Sequence, residues 1–402
     1  MRQVDVLVVG AGPAGLAAAA RLAAAGAGRV EVLDREQQAG GVPRHCAHGG
    51  FGTWSRPLTG PAYARLLADA AVRAGAVVRT GVTALDWAGQ LALTTVSAAG
   101  PETITARAIV LATGARERPP TARLVPGTRP AGVYTTGELQ QAVHLHRQPV
   151  GTRAVVVGAQ DVSYAAADTV RAAGADVVAM VTELPRAQTA STRALDARLR
   201  RGIPLLTDTT VTELLGHGRL SGVRVRHRDG RTATLPCDTV VFTGDFVPDH
   251  ELARRGGLPL DPGTRGPAVD GALRTARPGV FAVGSVLHAV ESAATAAREG
   301  AHSADAVLAA LAGAEWPDGV PLTVDPPLRW IAPNRVTPAD RHPYVLRTAT
   351  LLTRPVLHIT QDGRLLHRRP LRSAVPHRTL TLTARWTPRV DPKGGPVRVS
   401  VA

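Results

Sequence analysis

Three glycines at positions 10, 12 and 15, an aspartate at 34 and a loop carrying Arg44, His45, Cys46 and His48 are the residues whose types and spacing could do chemistry. In a G-x-G-x-x-G turn, Gly10 allows the tight bend, Gly12 lets a diphosphate approach the backbone, and Gly15 lets the following helix pack closely on its strand. Pro13 suits the first helical turn, where its missing N–H costs nothing. The helix start offers unpaired N–H groups and a partial positive charge to a diphosphate. Asp34, with Arg35 beside it, stands where a carboxylate can accept both hydroxyls of an adenosine ribose, which favours FAD or NAD over NADP. In the loop, Arg44 could hold an anion or a flavin. His45 or His48 could move a proton near its ordinary pKa, and Cys46 stands between them as a reactive candidate. The alternative is a structural loop with hydrogen-bonded histidines. Neighbours this close cannot wrap one tetrahedral ion, and no second ligand cluster accompanies them, so no metal is expected.

The elements that must position these groups follow from the apolar pattern. Residues 4–9 form a short run suited to a strand buried on both faces. The Ala/Leu run to Ala25 is a strong helix former, stopped by Gly26, and residues 30–33 are a second strand ending on Asp34. Gly40-Gly41 lets the backbone pass close to a long cofactor, which suits FAD better than NAD. A helix over 61–75 and a strand over 76–79 follow, and Val82 comes just after. The alternation in 83–107 predicts an antiparallel meander. Residues 108–120 then read as a separate buried strand whose end, Ala112-Thr113-Gly114, lies where open α/β sheets bind ligands.

A second unit starts at Gly151, with a strand at 153–157, a helix at 161–173, a strand at 176–181 and an acid at Glu183. Its glycine turn is damaged. Gln160 and Ser163 replace the second and third glycines, and Asp161 brings negative charge, so NAD(P) binding there is doubtful. Asp161 and Ser163 would also serve as helix caps. Cys237 opens a buried strand and reads as inert packing. GVFAVGS at 279–285 adds a further short strand ending in Gly284-Ser285. A helix over about 289–312 could turn its N-terminus toward the far phosphate or ribityl chain of FAD. Beyond Trp316 the texture becomes proline-rich and alternating, and Asp362-Gly363 marks a hairpin. The expected fold is α/β: two Rossmann-like dinucleotide-binding domains plus a small C-terminal β-domain. The boundaries are 1–120 and 248–315 for a discontinuous FAD domain, 121–247 for the second unit, and 316–402 for the β-domain.

At 402 residues the chain has room for several domains with real cores. Two cysteines cannot make a disulfide framework or ligate an iron–sulfur cluster. The net charge of +15 comes almost wholly from arginine, Lys393 being the one lysine. Aromatics make up 3% of the chain and interleave with no basic patch, so nucleic acid is not the expected partner. Residues 316–402 hold fourteen Arg/Lys against five Asp, a local +9 that suits a solvated or protein-docking face. With no cleavable leader and no membrane-spanning stretch read from the sequence, the expected location is cytoplasmic.

GAGPAG with Asp34, Gly40-Gly41, LATGA, VVGAQD and GVFAVGS together resemble the glutathione-reductase-like flavoproteins, over about residues 1–312. The resemblance implies FAD lying across the first domain, with contacts from Gly10, Gly12, Pro13, Ala14, Gly15, Asp34, Gly41, Val82, Ala112, Thr113, Gly114 and Gly284. Ser285 stands where that family usually has Asp. With Cys46 alone near the glycine pair, dithiol–disulfide chemistry is unsupported. PRHCAH, VVGAQDVSYAA and TGDFVPDHEL are similar to one branch. It contains the flavoprotein subunits of hydrogen cyanide synthase, opine oxidase and dye-linked proline dehydrogenase. The branch implies an FAD-dependent oxidoreductase acting on a small-molecule substrate, with a small [2Fe–2S] protein and a second flavoprotein subunit as partners. The rival readings are an NAD(P)H-dependent reductase and a non-catalytic FAD-binding subunit.

Overall fold

The computed structural model describes residues 2–53, 55–289 and 291–402. Its first sheet is built on β1 (Arg2–Val9), which leads through α1 (Pro13–Ala24) to β2 (Val30–Asp34). Next come α2 (Gly60–Arg73), β3 (Val77–Thr80), and the meander β4 (Thr83–Gly89), β5 (Ala92–Ser97) and β6 (Gly100–Leu111). β3, β2, β1 and β6 lie parallel in that order, and β5 and β4 extend the sheet antiparallel. The βαβ reading of residues 1–36 therefore holds.

The meander and the buried strand are not separate, however. β6 is one strand of twelve residues whose first half pairs with β5. Along it the exposure pattern shifts from alternating to fully buried. No turn residue separates the two halves, so nothing breaks the strand where one partner gives way to the next.

The second sheet is parallel throughout. It comprises β7 (Val133–Thr135), β8 (Arg153–Val157), β9 (Asp176–Val181), β10 (Leu205–Leu206) and β11 (Thr239–Phe242), in the order β7-β11-β8-β9-β10. Helix α3 (Asp161–Ala172) connects β8 to β9. A three-stranded antiparallel sheet, Thr209–Leu215, Gly222–His227 and Thr232–Pro236, lies between β10 and β11 in the chain.

The chain then returns to the first sheet. β12 (Val280–Ala282) pairs parallel with the end of β6, and α4 (Ala293–Leu311) packs across α1. The contact is backbone to backbone: a β-carbon on Gly300 would stand 1.9 Å from the Ala14 carbonyl oxygen. One hydrophobic core accordingly joins residues 4–112 with residues 252–307. α4 starts later than its composition suggests, because Ser292 caps it by accepting a hydrogen bond from Thr295 N at 3.1 Å.

In the C-terminal part, a five-stranded and a three-stranded sheet share a core around Trp386, Tyr344, Ile359 and Val399. Asp362 and Gly363 both take positive φ (49° and 78°), the geometry of a two-residue type I′ hairpin. Asn334 and Asp340 tie this unit down by accepting from Val269 N at 2.9 Å and Gly271 N at 3.2 Å. No helix among the described residues is long and apolar enough to cross a membrane.

Candidate functional site

The ends of β1, β2 and β6 converge on the glycine turn. Gly10 has a φ of +110°, and a β-carbon there would lie 2.2 Å from the Ala112 carbonyl oxygen. Gly15 is closed in the same way by the Gly10 carbonyl at 1.9 Å. Above Gly12, by contrast, nothing lies within 4 Å, so the turn leaves its open space at the position that meets a diphosphate. Gly12 is also the N-cap of α1, with no side-chain cap and no acid in the first turn. The helix's first N–H groups are thus left for an anionic ligand. Asp34 accepts from Ala11 N at 2.7 Å on one carboxylate oxygen and from Glu36 N at 2.9 Å on the other. Each oxygen keeps an acceptor site for a ribose hydroxyl. This donor set fits the adenosine diphosphate half of FAD.

A cavity of about 1830 Å³ runs from this turn to the C-terminal β-domain. Gly12, Pro13, Ala14, Asp34, Arg35, Gly41, Val82, Ala112, Thr113 and Gly114 line it, as do Gly10 and Ser285. Gly15 and Gly284 do not; they serve packing, Gly284 lying against Ala14 with a would-be β-carbon contact of 2.5 Å. Gly41 reaches the cavity by packing on Gly12 Cα, 2.8 Å from its own would-be β-carbon, and Gly40 N donates to Ala11 O at 2.8 Å. The glycine pair therefore seats the second loop on the first. Val82 N donates to the Asp34 carbonyl at 2.9 Å, and Thr113 Oγ1 donates to Asp249 O at 2.6 Å. Arg35 turns to Asp249, 3.5 Å away at the exposed rim.

The loop of candidate reactive groups also lines the cavity, but its chemistry is quieter than its composition suggests. Cys46 is 6% exposed, and its thiol donates to Gln140 Oε1 at 3.3 Å. Burial pushes its pKa up to about 12, so it is a packed thiol rather than a thiolate. His45 is held neutral: burial, helped by the Arg44 charge, lowers its pKa to about 4. Arg44 donates to the Gln38 carbonyl at 3.1 Å. His48 bonds Gly49 O at 2.7 Å through Nδ1 and packs beside Phe51. Among the described residues no three His, Cys, Asp or Glu side chains are grouped to hold a metal ion.

Sequence reasoning passed over several cavity residues. Glu117, just past the 108–114 motif, accepts from Gly137 N at 2.7 Å, and burial raises its pKa. Glu299 and His302 come from α4, and His342, Arg347 and His377 come from the C-terminal unit. The Arg347 guanidinium and the Glu291 carboxylate are both nearly fully buried and paired, with Arg347 lying over the Trp330 ring. No local motif announces these residues, because they meet only when the β-domain closes on the first domain.

The second glycine turn is built differently. Ser163 Oγ accepts from Gln160 N at 3.0 Å and bonds Thr243 Oγ1 at 2.6 Å. Asp161, in the first turn of α3, receives the Thr189 hydroxyl. Where α1 has no side-chain cap and no acid, α3 thus has a Gln160–Ser163 capping box and the Asp161 carboxylate in its first turn.

A profile of the pyridine nucleotide-disulphide oxidoreductase family matches residues 4–300. The chain is 30% identical to the alpha subunit of the sarcosine oxidase of Rhizobium meliloti, over 64% of this chain and 26% of that one. It is 28% identical to an opine oxidase subunit of Rhizobium meliloti, over 70% and 58%. It therefore spans between a quarter and three fifths of these relatives. It is 30% identical to a ferredoxin–NADP reductase of Salinispora tropica, over 71% of this chain and 87% of that one. The T. acidophilum thioredoxin reductase superposes with a TM-score of 0.66 at 25% identity, covering 77% of this chain and 99% of that one. An open glycine turn, a carboxylate at the end of β2 and this match over most of the chain agree: the protein belongs to the pyridine nucleotide-disulphide oxidoreductase family, and its first domain fits FAD.

Proposed function

We propose that this flavoprotein is one component of a multi-subunit dehydrogenase for amines, amino acids or polyols, passing electrons between its flavin and a partner protein. FAD supplies the hydride or electron transfer. The chain supplies the diphosphate turn, the ribose carboxylate and the loop of Arg44, His45 and His48 on the cavity wall. The observation that carries the reading is the α3 N-terminus, capped by Gln160 and Ser163 with Asp161 in its first turn. Gln160, Asp161 and Ser163 are bonded within the protein, and the Asp161 charge disfavours a nicotinamide dinucleotide's diphosphate at this helix start. On this reading the electrons come from or go to something else. Relatives named as subunits of sarcosine and opine oxidases support a partner. The partners this reading names are a small [2Fe–2S] protein and a second flavoprotein subunit.

A second reading, an NAD(P)H-dependent reductase, is favoured by the ferredoxin–NADP reductase relative and by Glu183 standing just after β9. Anaerobic stopped-flow mixing separates the two. Flavin bleaching by a secondary amine or amino acid only when the partner flavoprotein is present supports the first. Millisecond bleaching by NADH or NADPH alone supports the second.

A further inference from the structure

Ser285 brings no carboxylate to the cavity, yet one is present on the same wall. Glu299, two turns into α4, is 4% exposed and lines the cavity. Its Oε2 accepts from Gly284 N at 3.1 Å, and its Oε1 lies 2.9 Å from His288 Nε2. His288 is itself buried and stacks on Trp330 of the C-terminal unit, with rings 10° from parallel and centroids 6.0 Å apart. An ionised carboxylate has about four acceptor sites, and these two contacts use one on each oxygen. A buried polar group whose remaining acceptor sites stay unfilled is costly.

The order of groups along the cavity says what could satisfy them. Asp34 fixes the ribose end and the open Gly12 turn fixes the diphosphate. Gly284, which holds Glu299, packs directly on Ala14 of that turn. Moving along FAD in the same direction, the next group after the diphosphate is the ribityl chain, which carries three hydroxyl donors.

We propose that Glu299, held by Gly284 N and His288 and backed by Trp330, is the carboxylate that accepts hydrogen bonds from the ribityl hydroxyls of FAD. This rests on the FAD assignment of the first domain. It also gives the C-terminal β-domain a part in the flavin site, because Trp330 forms the far side of the His288 pocket.

The test compares FAD with ADP, which has the ribose and diphosphate but no ribityl chain. Full-length apoprotein is titrated with each ligand by calorimetry, for wild type, Glu299→Gln, Glu299→Asp and His288→Gln. The expected result for Glu299→Gln is a loss of FAD affinity of about tenfold, the cost of one charge-assisted hydrogen bond, with ADP affinity within twofold of wild type. His288→Gln, which leaves the carboxylate in place, shows the same selectivity with a smaller loss. FAD and ADP weakening together in these variants would make Glu299 a packing anchor and overturn the proposal, as would unchanged FAD affinity in all of them. Failure of the wild-type protein to bind ADP would remove the FAD assignment and this inference with it, a pattern distinct from the other two.

Discussion

The side-chain amide nitrogen of Gln160 lies 2.7 Å from the point where a β-carbon on Gly244 would stand. Gln160 therefore folds over Gly244, just past the end of β11 in the second Rossmann-like unit. Glycine at position 244 is what makes room for it. Wild-type protein mixed anaerobically with submillimolar NADH should show no flavin bleaching on the millisecond scale. Gln160→Gly should open the turn and raise the bleaching rate, at a helix-cap cost of roughly a few tenths of a kcal/mol. Fast reduction of the wild type would transfer support to the reductase reading.

Asp34 is expected to do two jobs, holding the glycine turn through Ala11 N and Glu36 N while facing the ribose. Asp34→Ala should weaken FAD by about 1–3 kcal/mol, the cost of unpaired polar groups. Asp34→Asn, which keeps one acceptor oxygen, should lose less. Fluorescence titration of released flavin measures both, and equal occupancy across the three proteins would count against the assignment.

Cys46 should be inert. With its pKa pushed up to about 12 by burial, it should resist iodoacetamide at pH 8 in the folded protein and react only on unfolding. Cys46→Ser should leave the flavin reducible by the same donor. A long-wavelength charge-transfer band lost in that variant would place a thiolate against the flavin and reverse this view.

His288 sets a pH dependence. Burial works against its charge, but Glu299, with a further contribution from Glu291 and opposition from Arg347, raises its pKa above the ordinary value. For a histidine raised in this way, the stabilisation is fully present below the unfolded pKa of about 6.5 and is lost as pH rises through the folded value. The Tm difference between wild type and His288→Gln should therefore be largest at acidic pH and shrink with increasing alkalinity. A difference that grows with pH would contradict the ion pair.

Gly300→Ala tests the crossing of α1 and α4. Its new methyl would meet the Ala14 carbonyl at 1.9 Å, so the helices must separate. Destabilisation of about 1–3 kcal/mol is expected from overpacking, read as a lowered Tm, with FAD release following because Ala14 begins the diphosphate helix.

The legible part of this molecule was local. The G-x-G-x-x-G turn and Asp34 sit within 25 residues of one another, and the strand and helix between them leave one geometry for that spacing. The hairpin at Asp362-Gly363 was legible for the same reason. The quiet state of Cys46 and His45 was not, because burial by Gln140 and its neighbours comes from a segment almost a hundred residues away. Nor were Glu299 and Arg347, whose partners Gly284, His288 and Glu291 lie on other elements. The continuous β6 was missed because a change of pairing partner leaves no mark in the residues themselves.

The pairing of Ile109 on β6 with Val280 on β12 bears on how the chain is made. Emerging from the ribosome in order, the first domain has its diphosphate turn early but lacks its last strand and the helix that crosses α1. The whole second unit is synthesised in between and can fold first. A nascent chain stopped before residue 280 should expose the flank of β6 and hold flavin poorly, leaving an open sheet edge for chaperones or for unwanted strand pairing. Flavin capture should then wait for the synthesis of α4, which packs against the turn made before it.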